Sequence, residues 1–171
     1  MWSSEVTNMI IAGIGETLYM TLVSTIAGYI IGLPMGIVLT VSDKDGIRPN
    51  SFIYKILDVI VNIVRSIPFI ILLVLLIPFT RFLVGKSYGS TATIVPLVVA
   101  AAPYIARMVE SSLKEVDAGV IEAARSMGAS DFDIVTKVLL VEARTSLLVG
   151  ATISLGTILG YSAMSGAVGG G

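Results

Sequence analysis

The residues of this chain whose types and spacing suggest a specific interaction lie between Asp117 and Gly128. Glu122, Ala123 and Ala124 stand together, and three residues separate them from Gly128. Two adjacent alanines make a narrow helix face that could enter a groove on another protein, while Glu122 offers a charge for a salt bridge or a cap. Asp117 suits an N-cap, and Gly128 suits a left-handed position that ends the helix. The segment is therefore either a docking helix or an ordinary amphipathic connector.

Chemistry that depends on cysteine or histidine is excluded, because the sequence contains neither residue. Disulfides, Cys or His metal ligands and His-based catalysis are removed together. The nearest match to a phosphate loop, residues 80–87, lacks the first glycine of that motif and follows no predicted strand. The net charge of −1 gives no reason to expect nucleic acid as a partner. We therefore predict no catalytic residue, no metal site and no enzyme activity in this chain.

Long apolar runs surround this segment and must position it. Of the 171 residues, 55% are hydrophobic and 13% are charged, whereas a soluble domain carries roughly 25% charged residues. A helical crossing of a bilayer needs roughly 20 apolar residues and satisfies its own backbone groups. We predict an all-α membrane bundle that forms one domain over 1–171, with crossings at about 16–41, 54–80, 88–109 and 144–165 and a cytoplasmic segment at about 110–143.

The basic residues predict the orientation of the bundle. Eight of them flank or lie in the first and third connections, and the second connection holds only Arg81 and Lys86. Basic residues favour the cytoplasmic side. The N-terminal tail has none and lacks the basic region of a signal peptide. We therefore expect the N-terminus outside and the 110–143 segment in the cytoplasm.

Small residues recur along the first crossing. Gly28, Gly32 and Gly36 are each four residues apart, so they line one helix face and allow another helix to approach closely. A packing face is the favoured interpretation, and a substrate path along the same face is the alternative.

Three polar residues of the second crossing, Asp58, Asn62 and Arg65, share one helical face. We expect them to pair locally or to reach the membrane interface, and a gating ion pair is the alternative. An unpaired arginine at the centre of a bilayer costs about 3 kcal/mol or more. Arg65 is therefore expected near the cytoplasmic boundary.

The segment from Glu122 to Gly128 resembles the EAA-x3-G signature of permease subunits in bacterial ATP-binding-cassette importers. In that family the signature forms a coupling helix that docks into a cleft of a cytoplasmic ATPase. The family's Leu-Pro pair further on is replaced by Leu140-Val141, so the break before the last crossing lacks its proline. Within the family, this chain resembles the methionine-importer permeases in four stretches that are spread over the crossings: 62–72, 77–81, 101–110 and 160–169.

The resemblance implies a five-helix importer-permease fold in the bacterial inner membrane, assembled as a homodimer around a path for D- or L-methionine. It also implies two separate cytoplasmic ATPases, which bind the ATP and Mg²⁺, and an external substrate-binding lipoprotein; this chain itself would hold no cofactor. In that family the helix at 144–165 lines the translocation path. Tyr161, Ser162 and Met164 are therefore candidate pore or gate residues, with Met164 as core filler the alternative. The chain stops at Gly171, in the turn before the fifth crossing, so we expect a truncated bundle.

Three other functions remain open from the sequence. The chain could be a permease for another amino acid or small polar solute, or a membrane scaffold that does not transport. An ion-driven secondary transporter is the third, and it needs acidic residues within the membrane. The predicted crossings offer acidic residues only at their ends.

Overall fold

The computed structural model describes residues 3–166 and 169–170, and every regular element within these ranges is a helix. The predicted all-α class is confirmed. The elements are α1 (Ser4–Ser42), α2 (Ser51–Ser66), α3 (Phe69–Leu75), α4 (Ile77–Val84), α5 (Ser90–Lys114), α6 (Ala118–Ser126), α7 (Asp131–Asp133), a π-helix (Ile134–Leu139), α8 (Leu140–Glu142) and α9 (Arg144–Ser165). By length and apolar composition α1, α5 and α9 could each cross a membrane, and α2 with α3 could form a fourth, bent span.

Helix α1 is 39 residues long and begins well before the predicted start at residue 16. The hydroxyl of Ser3 accepts the backbone N–H of Val6 at 3.4 Å and so caps the helix, and Glu5 places a negative charge in the first turn. Residues 4–15, several of which are polar, are therefore part of α1 and do not form a separate tail. The helix also continues through Pro34.

The second predicted crossing, 54–80, is not one continuous helix. Helices α2 and α3 meet at an angle of 102°. Pro68 has no N–H to donate and disfavours a helical conformation in the residue before it, and Ile67 is accordingly extended (φ −84°, ψ 123°). Helix α2 itself begins under a side-chain cap from Asn50, whose carbonyl oxygen accepts the N–H groups of Phe52 and Ile53.

Helix α5 forms the centre of the bundle, and its Leu97, Ile105, Val109 and Leu113 are almost fully buried. It lies directly against the glycine face of α1. A Cβ atom on Gly32 would lie 2.6 Å from the carbonyl oxygen of Ala102, and one on Gly36 would lie 2.6 Å from that of Ala106. The structure thus places these glycines where two helix backbones come together, with no room for a methyl group.

This contact predicts a position-specific cost of adding one carbon atom. The substitution Gly32→Ala forces α1 and α5 apart, and we expect it to lower the free energy of unfolding by about 1–3 kcal/mol, the usual cost of overpacking. The control is Gly13→Ala in the same helix, because a Cβ there meets no atom of the described chain within 4 Å. Denaturant titration of the purified protein in detergent measures both. Equal stability of the two variants would contradict the contact.

Candidate functional site

Helix α6 carries the Glu-Ala-Ala segment and has well-defined ends. The carboxylate of Asp117 accepts the backbone N–H two residues further on at 2.8 Å, which caps the first turn. At the other end Gly128 adopts a left-handed conformation (φ 85°). The N–H groups of Gly128 and Ala129 donate to the carbonyls of Arg125 and Ala124 at 3.0 and 3.1 Å, the two hydrogen bonds of a Schellman turn. The predicted cap and the predicted glycine turn are both confirmed.

The outward face of α6 differs from the predicted one at a single residue. Glu122 and Ala123 are exposed, together with the apolar side chains of Val120 and Met127, the last of which is 82% exposed. Ala124, by contrast, is only 7% exposed, because it packs against the chain's own core. The prediction that both alanines form an outward face is therefore wrong for Ala124. Ala124 lies about 100° around the helix from Ala123, and this rotation turns it toward the core.

The segment after α6 begins with a side-chain cap at Ser130. The hydroxyl of Ser130 accepts the backbone N–H of Asp133 at 3.2 Å. The carboxylate of Asp133 also lies 2.6 Å from the ammonium of Lys137 and 2.5 Å from the Ser130 hydroxyl. The Lys137 ammonium, followed by the Ser130 hydroxyl, lowers the pKa of Asp133 to about 2. This carboxylate therefore stays charged throughout the neutral range and fixes the start of the helix that follows α6.

That second helix widens into a π-helix before it ends. The N–H of Leu140 donates to the carbonyl of Val135, five residues earlier. The helix axis breaks at Ala143 (φ −77°, ψ 0°), where α9 begins. The break therefore forms although Val141 replaces the family's proline. Pi-helical turns insert one extra residue into a helix, and they occur frequently at functional positions.

The guanidinium of Arg125 connects α6 to the first loop of the chain. It donates from Nη2 to the backbone carbonyl of Ile47 at 2.8 Å. A cleft of about 430 Å³ separates the loop from α6 and is lined by Glu122, Leu113 and Leu139 among others. The connections at 43–50 and 110–143 therefore lie on the same side of the bundle, in agreement with the side that the basic residues indicate.

The end of α5 holds the same loop through a second set of contacts. The ammonium of Lys114 lies 2.6 Å from Asp43 and 2.8 Å from the buried carboxylate of Glu110. The hydroxyl of Tyr54, on α2, also donates to Glu110, at 3.2 Å. Hydrogen bonding to Lys114 lowers the pKa of Asp43. Loop, α2 and α5 are thus joined at one point through the Glu110 carboxylate.

Arg107 extends this cluster along α2. Its guanidinium donates to Glu110 at 2.6 Å, to Asn62 at 3.0 Å and also to Asp58. Asp58 and Asn62 therefore bind Arg107, not Arg65 as the sequence suggested. Arg65 is exposed and forms no ion pair with any residue of the described ranges. We call Asp43, Tyr54, Asp58, Asn62, Arg107, Glu110 and Lys114 the α5 charge cluster.

The three candidate pore residues of α9 lie in different surroundings. The ring of Tyr161 is stacked on that of Phe69 of α3, with ring centroids 4.7 Å apart and planes 6° apart. Ser162 is buried against α1, where its hydroxyl lies 3.4 Å from that of Thr21. Met164 is exposed. The structure thus leaves Tyr161 and Met164 near surfaces but places Ser162 inside the subunit, which speaks against a pore role for Ser162 in this conformation.

Part of the stretch at 160–169 falls on residues 167 and 168, which lie outside the described residues. Gly169 and Gly170 lie against the start of α5. The N–H of Gly89 donates to the carbonyl of Gly169 at 2.8 Å, and the hydroxyl of Thr93 donates to that of Gly170 at 3.4 Å. The turn after α9 therefore lies against the start of α5.

Comparison with known proteins decides the family. Residues 28–171 match the family described as binding-protein-dependent transport system inner membrane component. The chain belongs to this family. It is 56% identical over 158 residues to the D-methionine transport system permease protein MetI of Salmonella typhimurium, and the match covers 92% of this chain and 73% of that protein. The probable D-methionine transport system permease protein MetI of Vibrio cholerae is 43% identical over 170 residues, which cover 99% of this chain and 76% of that protein.

Solved structures of this family have the same fold. A chain in a structure described as inward facing conformations of the MetNI methionine ABC transporter aligns with a TM-score of 0.97 at 54% identity, over 99% of this chain and 79% of that one. A chain of an amino acid ABC transporter solved with histidines aligns with a TM-score of 0.77 at 24% identity, which shows the shared fold alone. The importer-permease architecture expected from the sequence is confirmed.

The α5 charge cluster was not predicted from the sequence, although the sequence holds a signal for it. Arg107, Glu110 and Lys114 are spaced three and four residues apart, so they share one face of α5. Their neighbours Asp43 and Asp58 come from other elements, and no local pattern connects them to α5. The cluster could therefore be anticipated as a charged stripe on α5 but not as the junction of three elements.

This cluster predicts a large effect of removing its central cation. Arg107→Gln leaves Asp58 without its partner and removes one of two cations from the buried Glu110. We expect the free energy of unfolding to fall by about 3 kcal/mol, as when one partner of a buried ion pair is lost. Arg81→Gln is the matched control, because Arg81 is exposed and forms no ion pair with the described residues. Thermal unfolding in detergent compares the variants, and two equal midpoints would refute the structural role.

Proposed function

We propose that this chain is the permease subunit of an ATP-binding-cassette importer for methionine. This proposal is supported by the 56% identity to a D-methionine transport permease over 92% of the chain. The TM-score of 0.97 with a chain of a methionine ABC transporter supports it further. In this proposal two copies of the chain form the translocation path across the inner membrane. Two ATPase subunits bind ATP and Mg²⁺ on the cytoplasmic side, and a lipoprotein delivers the substrate from outside.

We infer that the outward face of α6 is the ATPase-docking surface. Its support is the combination of one exposed carboxylate, Glu122, with the small Ala123 and the exposed Val120 and Met127. Protein interfaces commonly combine an apolar centre with a polar rim. Gly128 shapes the turn that ends this face, and Ala124 contributes from the inside by seating α6 on the bundle. Closure of the ATPase dimer on ATP would draw two such helices together and open the path outward.

Reconstitution tests both proposals. The chain is placed in liposomes with its ATPase, and the binding protein and labelled methionine are added outside. We expect ATP-dependent uptake, and we expect Glu122→Lys to abolish both uptake and substrate-stimulated ATP hydrolysis, because it reverses the charge at the docking face. Glu5→Lys, a charge reversal in the first turn of α1, is the matched control and should keep both activities.

Each result separates the alternatives. Absence of methionine uptake by the wild-type complex would overturn the proposed function and favour another solute or a scaffold. Normal ATPase stimulation in Glu122→Lys would remove the coupling role of α6 while leaving the family and the substrate untouched. Uptake without any ATPase would point to an ion-driven transporter.

We further propose that the N-terminus lies outside and that α6 lies in the cytoplasm. The support is the concentration of basic residues around the loop at 43–50 and the 110–143 segment, which Arg125 and Ile47 bring together. The chain contains no cysteine, so single introduced cysteines report cleanly on topology. In intact spheroplasts a membrane-impermeant maleimide should label Ser4→Cys but not Asp131→Cys. The reverse pattern would invert the assignment.

A further inference from the structure

We propose that Arg65, at the break between α2 and α3, binds the carboxylate of the amino acid as it passes through the membrane. The occupant of the adjoining cleft is a zwitterionic amino acid with an apolar side chain. This inference rests on the proposed function and adds to it a binding position within the transmembrane part of this chain.

Arg65 lies in a part of the chain that could cross a membrane. Helices α2 and α3 together, from Ser51 to Leu75, are long and apolar enough to form one bent span. Arg65 lies within this stretch, two residues before the break at Ile67–Pro68. Charged residues within a span are costly, and they typically face a cavity and serve a function. The location therefore calls for a partner that the folded subunit does not supply.

The hydrogen-bond acceptors nearest to Arg65 on α2 already bind another arginine. Asn62 and Asp58, which lie one and two turns before Arg65 on α2, bind Arg107. Arg65 makes no ion pair with the described residues, and it is exposed. A guanidinium presents five N–H donors in a planar fork that matches a carboxylate. Arg65 thus offers the donor group that a substrate carboxylate requires.

A cleft lies beside Arg65. Its volume is about 240 Å³, roughly eight times the ~30 Å³ share of one liquid water, which suits a molecule the size of a single amino acid. Apolar side chains form most of the wall, and two tyrosines complete it: Val64, Ile67, Phe69, Leu72, Ala100, Tyr104 and Tyr161. Mostly apolar walls with a few placed polar groups are typical of small-molecule sites.

The stacked rings of Phe69 and Tyr161 define one side of this cleft and join α3 to α9. Their faces offer an apolar surface to a thioether side chain, and aromatic faces also attract an ammonium group. Among the described residues that line the cleft none is acidic. The site therefore binds the zwitterion only at its carboxylate. Such binding is weak, and weak binding allows a transport path to release its substrate.

Direct binding to the purified permease–ATPase complex, without the binding protein, tests this site. Saturation-transfer NMR at millimolar ligand should detect L-methionine but not 3-(methylthio)propylamine, which lacks the carboxylate. Arg65→Gln should weaken methionine binding by about tenfold, the effect of losing one charge-assisted contact. Arg65→Lys should retain part of it, and Arg81→Gln should leave it unchanged.

A second variant keeps the charge and removes the space. Ala100→Phe fills the cleft and leaves the guanidinium of Arg65 present, and we expect it to abolish methionine binding while the complex still unfolds at the wild-type temperature. In uptake assays Arg65→Gln should raise KM or lower kcat while the ATPase is still stimulated by the loaded binding protein, because Glu122 is intact.

Failure of this inference is distinguishable from failure of the proposed function. If the wild type transports methionine but shows no saturation transfer, or if Arg65→Gln and Ala100→Phe bind as the wild type does, the binding position is wrong and the importer stands. Equal binding of 3-(methylthio)propylamine would also overturn the carboxylate role. If the wild-type complex does not transport methionine at all, the proposed function fails first.

Discussion

The contact between α1 and α5 is the constraint on which the other elements depend. At Gly32 and Gly36 the backbone of α1 comes so close to the carbonyls of α5 that no Cβ fits. Lipid is as apolar as leucine, so such close van der Waals packing replaces the hydrophobic effect as the force that holds membrane helices together. Helix α5 also contacts α2, α3, α4 and α9. The glycine face of α1 therefore fixes the helix around which the remaining spans are arranged.

At the end of α5 near Lys114, charged and polar contacts hold the elements together instead of close packing. Glu110 is buried, and it is stabilised because Arg107 and Lys114 flank it on its own helix while Tyr54 donates from α2. A buried carboxylate without such partners would be neutralised or would destabilise the fold. Lys114 extends the cluster to Asp43, and Arg125 holds the same loop at Ile47. The loop between α1 and α2 is thereby held by α5 on one side and by α6 on the other.

Local features of this chain could be predicted from its sequence, and non-local ones could not. The Asp117 cap, the Gly128 turn and the Ser130 start each depend on residues within five positions, so composition and spacing suffice. The inward turn of Ala124 depends on the core cluster that it joins, and two partners of Arg107, Asn62 and Asp58, lie 45 and 49 positions away. The break at Pro68 had a local signal, but its 102° angle depends on how α3 meets α9 through Phe69 and Tyr161. Pore assignments were the least predictable, since facing directions within a bundle follow from packing alone.

Two arginines within the spans show how the same residue type serves structure and function. Arg107 is enclosed by Asp58, Asn62 and Glu110, so its hydrogen-bonding capacity is largely used within the subunit. Arg65 lies on α2, one turn beyond Asn62, and has no such partners among the described residues. If Arg65 were only structural, the fold would keep an uncompensated charge within a stretch that is long and apolar enough to span a membrane, which is costly. A path that must bind and release a zwitterion explains that cost, because an arginine already paired within the subunit could not accept a passing carboxylate.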